Sequence, residues 1–242
     1  MRFKSTHGNA AGPLSASLSA SLSALRSAPL STLLWTALAG LCALLFSAGA
    51  MSDEAPATQA PDALIKTVSG DVLDTIRKDK SLQSGDFDRL QKLVDERVLP
   101  HVDFDRMTRL AVGRGWRSAT EEQRHALITE FRTLLLRTYS GALSRVTDHK
   151  VQMRPFRAQP ADTDVIVRTQ VVPSQGDAIQ LDYRLEKTDA GWKIYDVNVL
   201  GVWLVENYKN EFASEISQNG IDGLIKVLTE KNRKLAAGTR QG

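Results

Sequence analysis

The chain has 242 residues, 42% of them hydrophobic and 24% charged, with 16 Gly and 8 Pro, proportions that exclude wholesale disorder, a collagen-like repeat and a long coiled coil. The formal charge of +3 invites a reading as a phosphate-binding protein. Three of the 31 basic residues lie in 1–50, which holds no acid; the remainder carries 28 basic against 28 acidic residues, and no nucleic-acid partner is expected.

Residues 1–50 read as a secretory signal peptide. A weakly basic Ser/Ala/Leu-rich stretch with Arg2, Lys4 and Arg26 is followed by an apolar run, Leu33 to Phe46, and by Ser47-Ala48-Gly49-Ala50, a small-x-small site. The apolar run falls short of the roughly 20 residues a membrane span needs, which argues against an uncleaved anchor. Cys42 follows Leu41 rather than a small residue, so it is signal filler and not a lipid attachment site. Cleavage after Ala50 leaves a chain without cysteine, with no disulfide, thiolate metal site or cysteine nucleophile. The expected location is the periplasm.

Residues 51–62 are Ala/Pro/Thr/Gln-rich and read as a flexible tail; 63–235 form the expected domain, and 236–242 a second tail. From Ala63, Leu64, Ile65, Val68, Val72 and Ile76 recur at helical spacing. A second helix opens at Asp86 and stops before Pro100; a third runs from Asp103 to about Val112, ended by Gly113-Arg114-Gly115. Thr120-Glu121-Glu122-Gln123 is a capping box, and the helix behind it extends to about Leu143. After Asp148 the period switches to two. Strands are expected around Val151–Met153, Val165–Val171, Ile179–Leu185 and Trp192–Val199, with a parity break at Tyr195-Asp196 that marks a bulge. Leu200 to Ser217 reads as helix, broken at Asn219-Gly220, with a last helix beyond. The expected class is α+β: a four-stranded antiparallel sheet wrapped by N- and C-terminal helices.

No catalytic set emerges. His101-Val102-Asp103 lacks a third metal ligand. His125 reads as a solvated helix residue and His149 as turn polarity. Gly113-Arg114-Gly115 lacks the third glycine and preceding strand of a dinucleotide loop. Asp196 is the one carboxylate placed between apolar positions, and bonding to nearby backbone amides is its first expectation. Apolar surface is plentiful on the sheet and flanking helices, and periodicity alone does not separate a packed core from a cavity. Three functions stay open on the residues: a carrier of apolar cargo, an enzyme on this sheet using Asp196, and a chaperone or interaction module with a solid core.

Two blocks carry a resemblance. The first is Val98-Leu99-Pro100-His101-Val102-Asp103-Phe104 with Leu110-Ala111-Val112-Gly113-Arg114-Gly115-Trp116-Arg117-Ser118-Ala119-Thr120. The second is Gly191-Trp192-Lys193-Ile194-Tyr195-Asp196-Val197 through Leu200-Gly201-Val202-Trp203-Leu204-Val205, then Gly220-Ile221-Asp222-Gly223-Leu224. Over most of 62–235 the chain resembles the MlaC family of periplasmic phospholipid-binding proteins, also called toluene-tolerance auxiliary proteins. The resemblance implies a sheet of nuclear-transport-factor-2 shape and an apolar cavity for acyl chains. It implies a monomeric, non-enzymatic shuttle with phospholipid as cargo and no cofactor or metal. It further implies two partners, an outer-membrane lipoprotein–porin complex and an inner-membrane ABC transporter bearing an MCE-domain ring, in a system that maintains outer-membrane lipid asymmetry. The expected lining combines Val167, Val171, Ile179, Leu181 and Val199 from the sheet with Leu134, Tyr139, Val202, Leu204, Val205 and Tyr208 from the helices.

Overall fold

The computed structural model describes residues 59–143 and 145–238. The expectations for residues 1–50, Cys42 included, lie outside them, as do those for 51–58 and 239–242. Helix α1 (Pro61–Lys78) starts with proline at its first position, where the missing N–H costs no bond. It is followed by α2 (Lys80–Gln83), α3 (Phe87–Arg97), α4 (Phe104–Val112) and α5 (Glu121–Leu143). Short 3₁₀ turns, Leu99–His101 and Gly113–Arg117, flank α4 on either side.

Carboxylate and hydroxyl caps set where these helices begin. Asp79 accepts from the Ser81 and Leu82 amides, Asp86 from Arg89, and Asp103 from Arg106 at 2.8 Å. The capping box closes as the sequence predicts: the Gln123 amide donates to Thr120 Oγ1 at 3.2 Å, and the Thr120 amide donates to Gln123 Oε1 at 3.0 Å. Helix α2 is not anticipated by periodicity, because its four residues include one apolar side chain.

The sheet is an antiparallel meander in chain order: β1 (Lys150–Met153), β2 (Asp164–Val172), β3 (Ile179–Thr188), β4 (Gly191–Val199) and β5 (Val202–Trp203). Five strands form, not the four expected. The difference arises at Leu200 and Gly201, which take φ of 52° and 90°. Two left-handed residues in succession end any helical path and turn the chain back. Val202 and Trp203 then pair with Val199 and Asn198, and the helix expected from Leu200 begins at Leu204 instead. The bulge lies where parity breaks: Arg184 pairs with Asp196 and Leu185 with Ile194, so Tyr195 is the extra residue.

Helix α6 (Leu204–Gly238) is broken at Gly220, whose φ of 70° and ψ of −173° no other residue adopts readily. The core has three centres. Phe131 anchors a helical one, with Phe104, Tyr208 and Phe212 rings at 5.0–5.7 Å. Ile65, Val68, Val167, Leu185 and Ile194 form a second between α1 and the sheet. Leu73, Ile76, Leu82, Leu90 and Leu93 form a third among α1, α2 and α3.

Candidate functional site

Between α1 and the sheet lies a cavity of about 220 Å³. Helix α1 supplies Ile65, Val68, Ser69 and Val72, residues that share one face at helical spacing. Strands supply Val151, Val171, Leu181, Tyr183, Ile194 and Val197, all from the face opposite Arg168, Asp182 and Asn198. The end of α5 and the following turn close it with Leu143 and Val146, and the chain around the first 3₁₀ turn adds Val98 and Val102. That turn is held to the sheet by the Asp103 amide, which donates to the Ile194 carbonyl at 2.8 Å. Leu181, Tyr183 and Val197 lie on central strands beneath a helix and are still only partly buried. Their free surface faces the hollow.

Among the described residues no charged side chain and no histidine lines this cavity. Its polar groups are the Ser69 hydroxyl and the Tyr183 phenol. Burial pushes the Tyr183 hydroxyl above its ordinary pKa, with Ser69 and Thr169 opposing the shift, so the ring stays neutral. Such a wall selects by apolarity and shape.

Asp196 stands outside this wall. It is fully buried; its Oδ1 accepts from the Val205 amide at 3.0 Å and the Val197 amide at 2.9 Å, and its Oδ2 from Arg184 at 3.1 Å. The carboxylate caps the first turn of α6 from across the bulge, the amide-bonded role expected of it. Arg184 in turn lies 4.0 Å from the Trp203 ring. Next to it, the Tyr195 hydroxyl donates to Asp164 at 2.7 Å, and burial, then that carboxylate, push its pKa up to about 12. Among the described residues no group of three or more His, Cys, Asp or Glu is placed to hold a metal ion. His101 is depressed below its usual pKa by burial and then by Lys193, and His149 bonds Asp148 at 2.9 Å.

The expected lining residues divide. Val171 and Leu181 stand in the cavity wall. Val167 is fully buried in the sheet-side core. Ile179 and Val199 are half-buried, at the strand ends beside the Leu200-Gly201 turn. Leu134, Val205 and Tyr208 pack into the helical core around Phe131, and Leu204 is buried at the start of α6. Tyr139 is half-buried on α5. Val202 is 50% exposed on β5. The wall contributed by α1, by Leu143 and by Val146 was not in the expected set; its signal was the apolar stripe of α1, which needed a partner surface.

A helix-covered antiparallel sheet with an apolar hollow beneath its first helix defines an α+β protein with room for an apolar guest. The MlaC protein family profile matches residues 66–230, and the chain belongs to that family. It is 22% identical over 177 residues to the intermembrane phospholipid transport system binding protein MlaC of Haemophilus influenzae, across 72% of this chain and 83% of that one. It is 22% identical to the toluene tolerance protein ttg2D of Pseudomonas putida, across 69% and 77%. A solved structure of a phospholipid-binding protein from Ralstonia solanacearum, in complex with a phospholipid, is 45% identical and superposes with a TM-score of 0.72, covering 74% of this chain and 99% of that one.

Proposed function

We propose that the exported chain is a periplasmic phospholipid carrier, taking acyl chains into the cavity between α1 and the sheet and leaving the head group at the opening. The supporting observation is that cavity: an uncharged apolar hollow in a chain 45% identical to a protein solved with a phospholipid bound. Each methylene removed from water is worth about 0.8 kcal/mol, so long acyl chains do not cross an aqueous gap unescorted. An apolar wall offsets that cost without reading charge, and head-group selectivity is accordingly weak.

The volume constrains the mechanism. About 220 Å³ exceeds the roughly 150 Å³ hollow that takes a benzene but falls below the about 300–1,000 Å³ of ordinary ligand pockets. Loading a diacyl lipid therefore requires the cavity to widen. The route across the periplasm runs between an outer-membrane lipoprotein–porin complex and an inner-membrane ABC transporter with an MCE-domain ring, and the reaction is transfer, not catalysis. Among the described residues no helix is long and apolar enough to cross a membrane.

The test is purification of the exported chain without detergent, followed by solvent extraction and mass spectrometry. Diacyl phospholipid near one molecule per chain is the expected result. A chain that yields none, and takes up none from vesicles in excess, overturns the reading.

A further inference from the structure

A second hollow, of about 460 Å³, opens between the Gly113–Arg117 turn and α6. Its floor is apolar, built from Val112, Ala213 and Ile216. Gly115 faces α6 here: a Cβ built on it would stand 2.9 Å from Ile216 Cδ1. Among the described residues two cations, Arg114 and Lys209, line the hollow and no carboxylate does.

The surrounding charge is only partly compensated. Among the described residues Arg109, Arg114 and Arg117 form no ion pair, while Lys209 reaches Glu206 only at 3.9 Å. Arg124, by contrast, is engaged by Glu121 and by the Trp116 carbonyl. The hollow shares no lining residue with the cavity between α1 and the sheet, and its floor residue Val112 belongs to the Phe131 core.

We propose that this groove docks an acidic segment of a partner protein, with carboxylates flanking one apolar or aromatic anchor. A cationic rim over an apolar floor fits that chemistry. The charges speed encounter and fix orientation, and the anchor on the floor supplies the affinity. A phosphate alone would leave the apolar floor unmatched. The inference does not depend on lipid carriage.

The test uses a fluorescein-labelled peptide with a central tryptophan flanked by glutamates, titrated against the full exported chain by anisotropy. Saturable binding that weakens about tenfold between low and high salt is expected. Arg114→Glu with Arg117→Glu should weaken it at least about tenfold, and Ala213→Trp, which fills the floor, should abolish it. Lys209→Glu provides a second reversal on the other wall if the double variant misfolds. Equal binding of a peptide with lysines for glutamates, indifference to all three variants, or binding only to phosphatidylglycerol vesicles overturns the proposal. Lipid content measured on the same variants keeps the two readings apart: full lipid with no peptide binding sinks this one alone.

Discussion

The carboxylate of Asp196 spends both oxygens on structure. One accepts two amides and the other the Arg184 guanidinium, with no exposed surface. Desolvation dominates its titration and raises its pKa above the ordinary 3.8. The folded chain therefore binds this proton more tightly than the unfolded one. The group's contribution to stability is fully present below 3.8 and declines as pH climbs through its folded pKa. Asp196→Ala strands the Val205 amide and is expected to cost about 2–3 kcal/mol in urea unfolding at neutral pH. Asp196→Asn keeps an acceptor for the amides, costs less, and removes that decline above 3.8. Equal losses for the two variants would show that the capping bonds are not what matters. The bulge was legible in the sequence because parity breaks at Tyr195-Asp196. Arg184 as the partner was not, because it is brought opposite only by the β3–β4 register.

At the scale of elements, local signals located the starts of α3, α4 and α5 because each depends on a side chain within three residues. Thr120→Ala removes one such bond and should destabilise the fold by about 1 kcal/mol, read as a lower urea midpoint at unchanged slope. Gln123 adds a longer link, donating to Asp222 at 2.7 Å and tying the start of α5 to the second half of α6. That link depends on the break at Gly220, which redirects α6. Gly220→Ala forces a Cβ into a backbone conformation reserved for glycine and should cost about 1–3 kcal/mol by the same measurement, although nothing lies within 4 Å of the added atom. A neutral Gly220→Ala would mean that the helix straightens at no cost. Strand β5 escaped the sequence because Leu200 is a non-glycine residue in left-handed conformation, and helical periodicity ran on unbroken through it.

For the molecule as a whole, the sequence located apolar faces but not which of them meet. Helices α4, α5 and α6 close on one another around Phe131 and fill their space, so Leu134, Val205 and Tyr208 become core. Helix α1 approaches the sheet with Ile65, Val68, Ser69, Val72 and Leu73, which leave the gap to Leu181, Tyr183 and Val197 unfilled, and a hollow remains. Volume across an interface is a tertiary quantity that periodicity does not carry. The distinction gives two variants opposite signatures. Leu181→Trp places a larger ring in the hollow; it should strip most of the co-purifying phospholipid while leaving the thermal midpoint near that of the parent, because the added volume enters open space rather than a packed core. Leu134→Ala empties packed space instead, and should cost about 2–5 kcal/mol while the surviving folded protein keeps its lipid. Lipid retained by the first variant and lost by the folded fraction of the second would move the acyl site to the helical side of the molecule, where the hollow between α1 and the sheet would have no part in carriage.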